Sequence, residues 1–112
     1  MINQKMNILK CALIGLVFSA SMATSHAQSL ERLNSLAKTK NCFSCHSVEK
    51  KVLGPGFKEV SQKYAGKADA NNLADKIRKG GVGKWGSVPM PANPQVSDAE
   101  ARELATLIMS LK

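Results

Sequence analysis

Two cysteines and a histidine stand in one pentapeptide, CFSCH, at residues 42–46. The spacing C-x-x-C-H is the signature of covalent attachment of a c-type haem. The thiols of Cys42 and Cys45 would add to the two vinyl groups of one haem, and the imidazole of His46 would reach the iron from the same side. We therefore predict a single covalently bound haem c with iron, ligated on one side by His46.

The first 27 residues have the layout of a cleaved secretory signal. Lys5 and Lys10 precede an apolar stretch at residues 11–20, and Ser25-His26-Ala27 forms the small-residue exit after which cleavage is expected. The apolar stretch is about ten residues, too short for the roughly 20 that a spanning helix needs. A retained membrane anchor is the alternative. We predict export to the periplasm, removal of residues 1–27 and a soluble domain at residues 28–112.

Other chemistries share the C-x-x-C spacing, namely a disulfide in an exported chain, a thioredoxin-like redox pair and half of a zinc site. A zinc site of the ribbon or finger kind needs four N or S ligands, yet Cys11 and His26 would leave with the signal. A thioredoxin-like domain needs alternating strands and helices, and the remaining chain has no run of alternating apolar residues. The haem interpretation is therefore favoured.

Removal of 27 of the 112 residues leaves 85, which is one small domain with a limited core that a buried haem would complete. Of 16 basic and 8 acidic residues, only Lys5 and Lys10 lie in the signal, so the remaining domain has a net charge of +6. This excess favours an acidic docking partner. Export, and lysines scattered with few aromatics, argue against nucleic acid.

Apolar periodicity predicts four helices and no strand. The first covers residues 29–40 with Ser29 as N-cap, the second is a short helix around residues 57–64, and the third covers residues 69–79 and ends at Gly80. Ser97 and Glu100 have capping-box spacing and open the last helix, which is expected to pack on the first. Residues 80–96 are rich in glycine and proline and are predicted to be a long loop.

A second axial ligand must come from a methionine, because His46 is the only histidine left after processing. Met109 lies among apolar residues of the last helix, where methionine usually fills the core. Met90 lies between Pro89 and Pro91, whose rings stiffen the loop around the thioether. We favour Met90. Histidine and methionine together close both axial positions, which suits an electron carrier.

The motifs resemble the small bacterial class I cytochromes c, most closely the cytochrome c-551 (c8) type. The resemblance extends over essentially the whole domain after the signal. It rests on CFSCH at residues 42–46, LGP at 53–55, YAG at 64–66, GKWG at 83–86 and PMPAN at 89–93. It implies an all-α fold, with about four helices wrapped around one haem.

The resemblance also implies roles for individual residues. The Pro55 carbonyl would accept the proton of the second imidazole nitrogen of His46. Trp85 would donate its indole N–H to a haem propionate, and Asn93 would hydrogen-bond near the Met90 sulfur. The family often has a propionate-binding arginine in the third helix, where this chain has Lys76, with Arg78 nearby.

The function implied is that of a monomeric, soluble periplasmic carrier, not an enzyme, which shuttles one electron between respiratory redox complexes. Partners in the family include membrane cytochrome complexes, terminal oxidases and nitrite reductases. Two alternatives remain. One is a haem domain or small subunit of a larger oxidoreductase, and the other is a haem enzyme or gas sensor with an open iron position.

Overall fold

The computed structural model describes residues 21–67 and 69–112, with side chains from residue 25 onward. Most of the predicted signal, residues 1–20, lies outside this description. Two compact units divide the chain, Met1–Arg32 and Leu33–Lys112. Within the described part, no helix combines the length and apolar character needed to cross a membrane.

The described residues form four α-helices and one two-stranded sheet. The helices are α1 (Ser21–Thr39), α2 (Phe57–Tyr64), α3 (Ala70–Lys79) and α4 (Asp98–Met109), and the strands are β1 (Gly81–Gly83) and β2 (Gly86–Met90). The predicted all-α class with four helices is confirmed. The haem-attachment motif lies in the connection between α1 and α2.

The predicted start of the first helix is wrong. Helix α1 begins at Ser21, and Ser29 lies inside it, with its hydroxyl donating to the Ser25 carbonyl at 2.9 Å instead of capping the helix. Residues 21–28 contain no glycine or proline, so nothing stops the helix while they remain attached.

Helix α3 ends before Gly80 as predicted, and α4 opens with the predicted capping box. The Asp69 carboxylate accepts from the Asn72 N–H at 2.9 Å and caps α3. At α4 the Ser97 hydroxyl accepts from the Glu100 N–H, while the Glu100 carboxylate accepts from the Ser97 N–H at 3.0 Å, which completes the capping box. These local signals alone fix where both helices begin.

The predicted loop at residues 80–96 contains a hairpin that the sequence analysis missed. Strands β1 and β2 are antiparallel, pairing Gly81 with Met90 and Gly83 with Gly86, with an irregularity between the two pairs. All residues of both strands are exposed except the half-buried Met90. Because neither face is buried, the strands lack the apolar alternation by which strands are recognised.

One buried cluster joins the helices of the unit Leu33–Lys112. Helix α4 contacts both α2 and α3, and an ion pair of 2.9 Å between Lys40 and Glu100 ties the residue after α1 to the first turn of α4. The buried apolar side chains are Leu33, Leu36, Ala37, Phe57, Val60, Tyr64, Leu73, Ala74, Ile77, Val96, Ala101, Leu104, Ala105 and Ile108.

Ser61 is the buried polar residue of the described core, with 5% of its surface exposed. Its hydroxyl lies 3.0 Å from the Met109 carbonyl oxygen and 2.8 Å from that of Leu111. A hydroxyl has one proton, so it donates to these two acceptors in turn. Ser61 thereby joins α2 to the C-terminal end of α4.

Candidate haem site

A tight turn carries the C-x-x-C-H motif directly after α1. Asn41 has a φ of 63°, the left-handed conformation that asparagine tolerates and that commonly ends helices. A 3₁₀ turn, Cys42–Ser44, follows, and the Cys42 carbonyl accepts from the N–H groups of Cys45 at 3.2 Å and His46 at 3.0 Å. These bonds bring the three motif residues together on one turn.

Cys42 and Cys45 are both half-buried, and their thiols are free. Burial raises the pKa of the Cys42 thiol above its ordinary value, against a smaller lowering by a backbone hydrogen bond. Each cysteine has the free sulfur that a thioether bond to a haem needs.

The imidazole of His46 is oriented by Pro55. Its Nδ1 lies 2.8 Å from the Pro55 carbonyl oxygen. A carbonyl can only accept, so the ring proton resides on Nδ1 and the lone pair of the neutral ring resides on Nε2. This is the arrangement of a metal-ligating histidine whose second nitrogen is held by a backbone carbonyl.

Gly54 and Phe57 pack against the same imidazole. A Cβ at Gly54 would collide with the ring, lying 2.8 Å from Nδ1 and 3.0 Å from Nε2. The Phe57 ring stacks on the imidazole with centroids 5.4 Å apart and planes at 26°. In the sequence Gly54 is recognisable only as part of a turn, because its contact with His46 depends on the fold.

The two candidate methionines lie in different surroundings. Met90 ends β2 and is half-buried, with Pro89 before it and Pro91 after it. Met109 ends α4, packs against the core cluster and has its carbonyl held by Ser61. Met109 is therefore built into the packing of the helices, whereas Met90 lies outside them, at the end of a strand. The ligation of iron by Met90 stays a prediction.

Asn93 holds the segment after Met90. Its backbone N–H donates to the Arg78 carbonyl at 2.9 Å, and its side-chain Nδ2 donates to the carbonyls of Ile77 at 2.8 Å and Pro91 at 3.3 Å. Its side-chain oxygen accepts from Gln95 at 3.0 Å. The structure thus gives Asn93 an anchoring role, and a bond to the Met90 sulfur, which stays a prediction, would take one of these N–H groups.

Trp85 lies in the turn of the hairpin and is half-buried against the core cluster. The Lys63 ammonium lies 4.1 Å from the centre of the Trp85 ring and donates to the Lys84 carbonyl at 2.9 Å. The Lys84 ammonium in turn lies 4.5 Å from the centre of the Tyr64 ring. These two reciprocal cation–π contacts join α2 to the hairpin turn. No sequence signal pointed to them, and the propionate contact of Trp85 stays a prediction.

Of the two cations considered for a propionate, Arg78 has other partners. Its Nε donates to the Val96 carbonyl at 3.1 Å, and its Nη1 pairs with Asp98. Among the described residues Lys76 pairs with no carboxylate, and its Nζ would lie 3.7 Å from a Cβ at Gly81, in the hairpin. A propionate contact of either residue stays a prediction.

The donor set fits a covalent haem. Two free thiols and an imidazole with Nε2 available share one turn, and the imidazole is fixed by Pro55, Gly54 and Phe57. Together with the four helices, this site defines a small all-α haem protein with thioether attachment.

Comparison with known proteins gives the family. Residues 31–112 match the family model "Cytochrome c". The chain is 54% identical over 78 residues to cytochrome c-551 of Azotobacter vinelandii, covering 69% of this chain and 94% of the relative. It is 56% identical over 79 residues to cytochrome c-552 of Hydrogenobacter thermophilus, covering 69% of this chain and 79% of the relative. The crystal structure of Nitrosomonas europaea cytochrome c552 has a TM-score of 0.69 and 52% identity, covering 70% of this chain and 99% of that one.

The chain belongs to the cytochrome c family, and within it to the class I type of cytochromes c-551 and c-552. Members of this family carry covalently bound haem c with iron, and they are small electron carriers. Cys42 and Cys45 occupy the attachment positions. The resemblance drawn from the sequence motifs is confirmed.

Proposed function

We propose that this protein is a soluble periplasmic electron carrier whose haem iron is ligated by His46 and Met90, and that it passes one electron at a time between respiratory redox complexes. With both axial positions filled, the iron changes oxidation state without binding substrate. The protein supplies fixed ligands and surroundings, and the haem supplies the redox change.

The hydrogen bond of 2.8 Å between His46 Nδ1 and the Pro55 carbonyl is the observation that carries this proposal. It leaves the lone pair of Nε2 free to bind the iron and prevents the ring from rotating. A ligand held in this way keeps its position in both oxidation states of the iron. Met90, the proposed second axial ligand, is half-buried and lies between two prolines at the end of β2.

The optical spectrum of the exported holoprotein tests the ligation. A low-spin spectrum with the weak red band of methionine-ligated ferric haem, unchanged when carbon monoxide is added to the reduced form, is expected. Met90→Ala should lose that band, and the matched control Met109→Leu should keep it. A high-spin spectrum, or ready binding of carbon monoxide, would refute closed ligation and favour an open-site enzyme or sensor.

Export and processing are tested separately. We propose that residues 1–27 are removed and that residues 28–112 form the carrier. The mass of the protein recovered from a periplasmic extract should correspond to residues 28–112 plus one haem. A mass that includes residues 1–27, or recovery with the membranes, would show that the leader is retained. Elution as a monomer would separate a free carrier from a permanent subunit.

Acidic redox partners are favoured by a basic cavity on the described surface. This cavity, of about 430 Å³, has Lys67, Lys76, Lys79 and Lys84 on its walls beside one carboxylate, that of Asp75, which pairs with Lys79. A concave surface with a net positive charge attracts an acidic partner and speeds association. Electron exchange with an acidic acceptor should slow with salt, and Lys67→Glu should slow it more than Lys51→Glu. Equal slowing would show that only net charge matters.

A further inference from the structure

Gly80 is the point at which the end of α3 meets the segment after β2. Its φ of 68° and ψ of −162° fall in a region that is essentially restricted to glycine. Its N–H donates to the Lys76 carbonyl at 2.9 Å and closes the last turn of α3. The residue therefore ends the helix and turns the chain towards the hairpin.

The missing side chain at Gly80 makes room for the backbone of Met90 and Pro91. A Cβ there would collide with the Met90 carbonyl oxygen, and it would lie 2.7 Å from the carbonyl carbon of Pro91 and 2.8 Å from its oxygen. All three atoms belong to the backbone, so no flexible side chain can move aside. An added methyl group must displace the segment itself.

Asn93 attaches the same segment to the same end of α3. Its N–H and its side-chain Nδ2 donate to the carbonyls of Arg78 and Ile77, at 2.9 and 2.8 Å. Residues 90–93 are therefore held at two points, by close contact at Gly80 and by hydrogen bonds from Asn93. Both points lie at the last turn of α3 or directly after it.

We propose that Gly80 is a positioning residue for Met90. The absence of a side chain at Gly80 lets the Met90–Pro91 backbone rest directly on the end of α3, and this close approach sets how far the thioether reaches towards the iron. The inference rests on the proposed ligation by His46 and Met90. A thioether is a weak ligand, so its retention depends on how well the protein presents it.

Gly66 offers a matched control. Its φ is also 68°, but no atom lies within 4 Å of the position that a Cβ would occupy. Alanine at either position forces a side chain into a backbone conformation of positive φ and so lowers stability, and at position 80 the ψ of −162° adds to that cost. Only at position 80 does the methyl group also collide with the Met90 segment.

The experiment compares Gly80→Ala, Gly66→Ala and Met90→Ala as holoproteins. Guanidinium titrations would follow the methionine band of the ferric form and, separately, helix content. In Gly80→Ala the band should disappear at a lower denaturant concentration than the helices. Reduced Gly80→Ala should also bind carbon monoxide about tenfold faster than reduced Gly66→Ala does. Carbon monoxide binds only the molecules in which Met90 has left the iron, so the size of this fraction limits the rate. In Gly66→Ala, band and helices should be lost together.

The outcomes separate this inference from the proposed ligation. If Met90→Ala keeps the band, the ligation itself is wrong. If Met90→Ala loses the band but Gly80→Ala behaves as Gly66→Ala does, only the positioning role is overturned. Should Gly80→Ala fail to mature, Asn93→Ala decides, because it cuts the other attachment and leaves Gly80 intact. If Asn93→Ala loses the methionine band at a lower guanidinium concentration than its helix content, the positioning role of the α3 end is supported. If the band and the helices are lost together, that role is overturned.

Discussion

Replacement of Ser61 by alanine tests how the end of α4 is held. The hydroxyl is buried, and it serves the carbonyls of Met109 and Leu111 at 3.0 and 2.8 Å. Alanine removes the donor but leaves both acceptors in place, so at least one partly buried carbonyl loses its partner.

The expected cost follows from two opposing effects. Leaving a buried acceptor without a partner costs about 1–3 kcal/mol. Alanine favours the helix over serine by about 0.5 kcal/mol, which reduces the net loss to roughly 0.5–2.5 kcal/mol. In a domain of this size each kcal/mol lowers the melting temperature by about 4–8 °C.

Ser35→Ala is the matched control, because Ser35 is exposed on α1 and gains the same helix propensity. Both holoproteins would be unfolded in guanidinium and followed by circular dichroism at a helix wavelength. Ser61→Ala should be the less stable of the two, and amide exchange should quicken at residues 109–111. If both variants have the same unfolding midpoint, the hydrogen bonds of Ser61 contribute nothing to stability.

Three further changes have defined outcomes. The hydrogen bond from Lys40, and then the backbone of Ser97, lower the pKa of Glu100 below its ordinary value. The unfolded chain therefore binds this proton at higher pH than the folded one, so the stabilisation is present above pH 4.5 and is lost as pH falls through the folded pKa. Glu100→Gln should make acid unfolding titrations less steep, and an unchanged slope would refute this. Leu104→Ala, at a site 1% exposed, should cost about 2–5 kcal/mol in denaturant unfolding, and a loss below 1 kcal/mol would contradict close packing. Asp69→Ala should cost about 1 kcal/mol by the same measurement, whereas Asp69→Asn should cost less because it can still cap α3.

The sequence predicted the helices well where a local signal sets their ends. The capping box of Ser97 and Glu100 and the stop at Gly80 each act within one turn of chain. The start of α1 was missed because Ser29 can either cap a helix or hydrogen-bond within one. With residues 21–28 attached, the second alternative is the one observed.

The site was only partly visible in the sequence, because most of its contacts join distant residues. The motif identified Cys42, Cys45 and His46 through their spacing. The contact of Gly80 with the Met90 backbone, and the bond from Asn93 to the Ile77 carbonyl, depend on how the hairpin folds back on α3. No periodicity or spacing encodes such an approach, so only coordinates could show it.

Trp85, which the Lys63 ammonium contacts in the hairpin turn, is also an internal fluorescent reporter. Trp85 is the only tryptophan in the chain, so indole fluorescence comes from one place, the turn between β1 and β2. A haem quenches a nearby indole by energy transfer, and emission would rise when the turn moves away from it. Local opening of an exposed hairpin costs less free energy than global unfolding. Time-resolved fluorescence could therefore detect departure of the segment that carries Met90 while the helices are still folded.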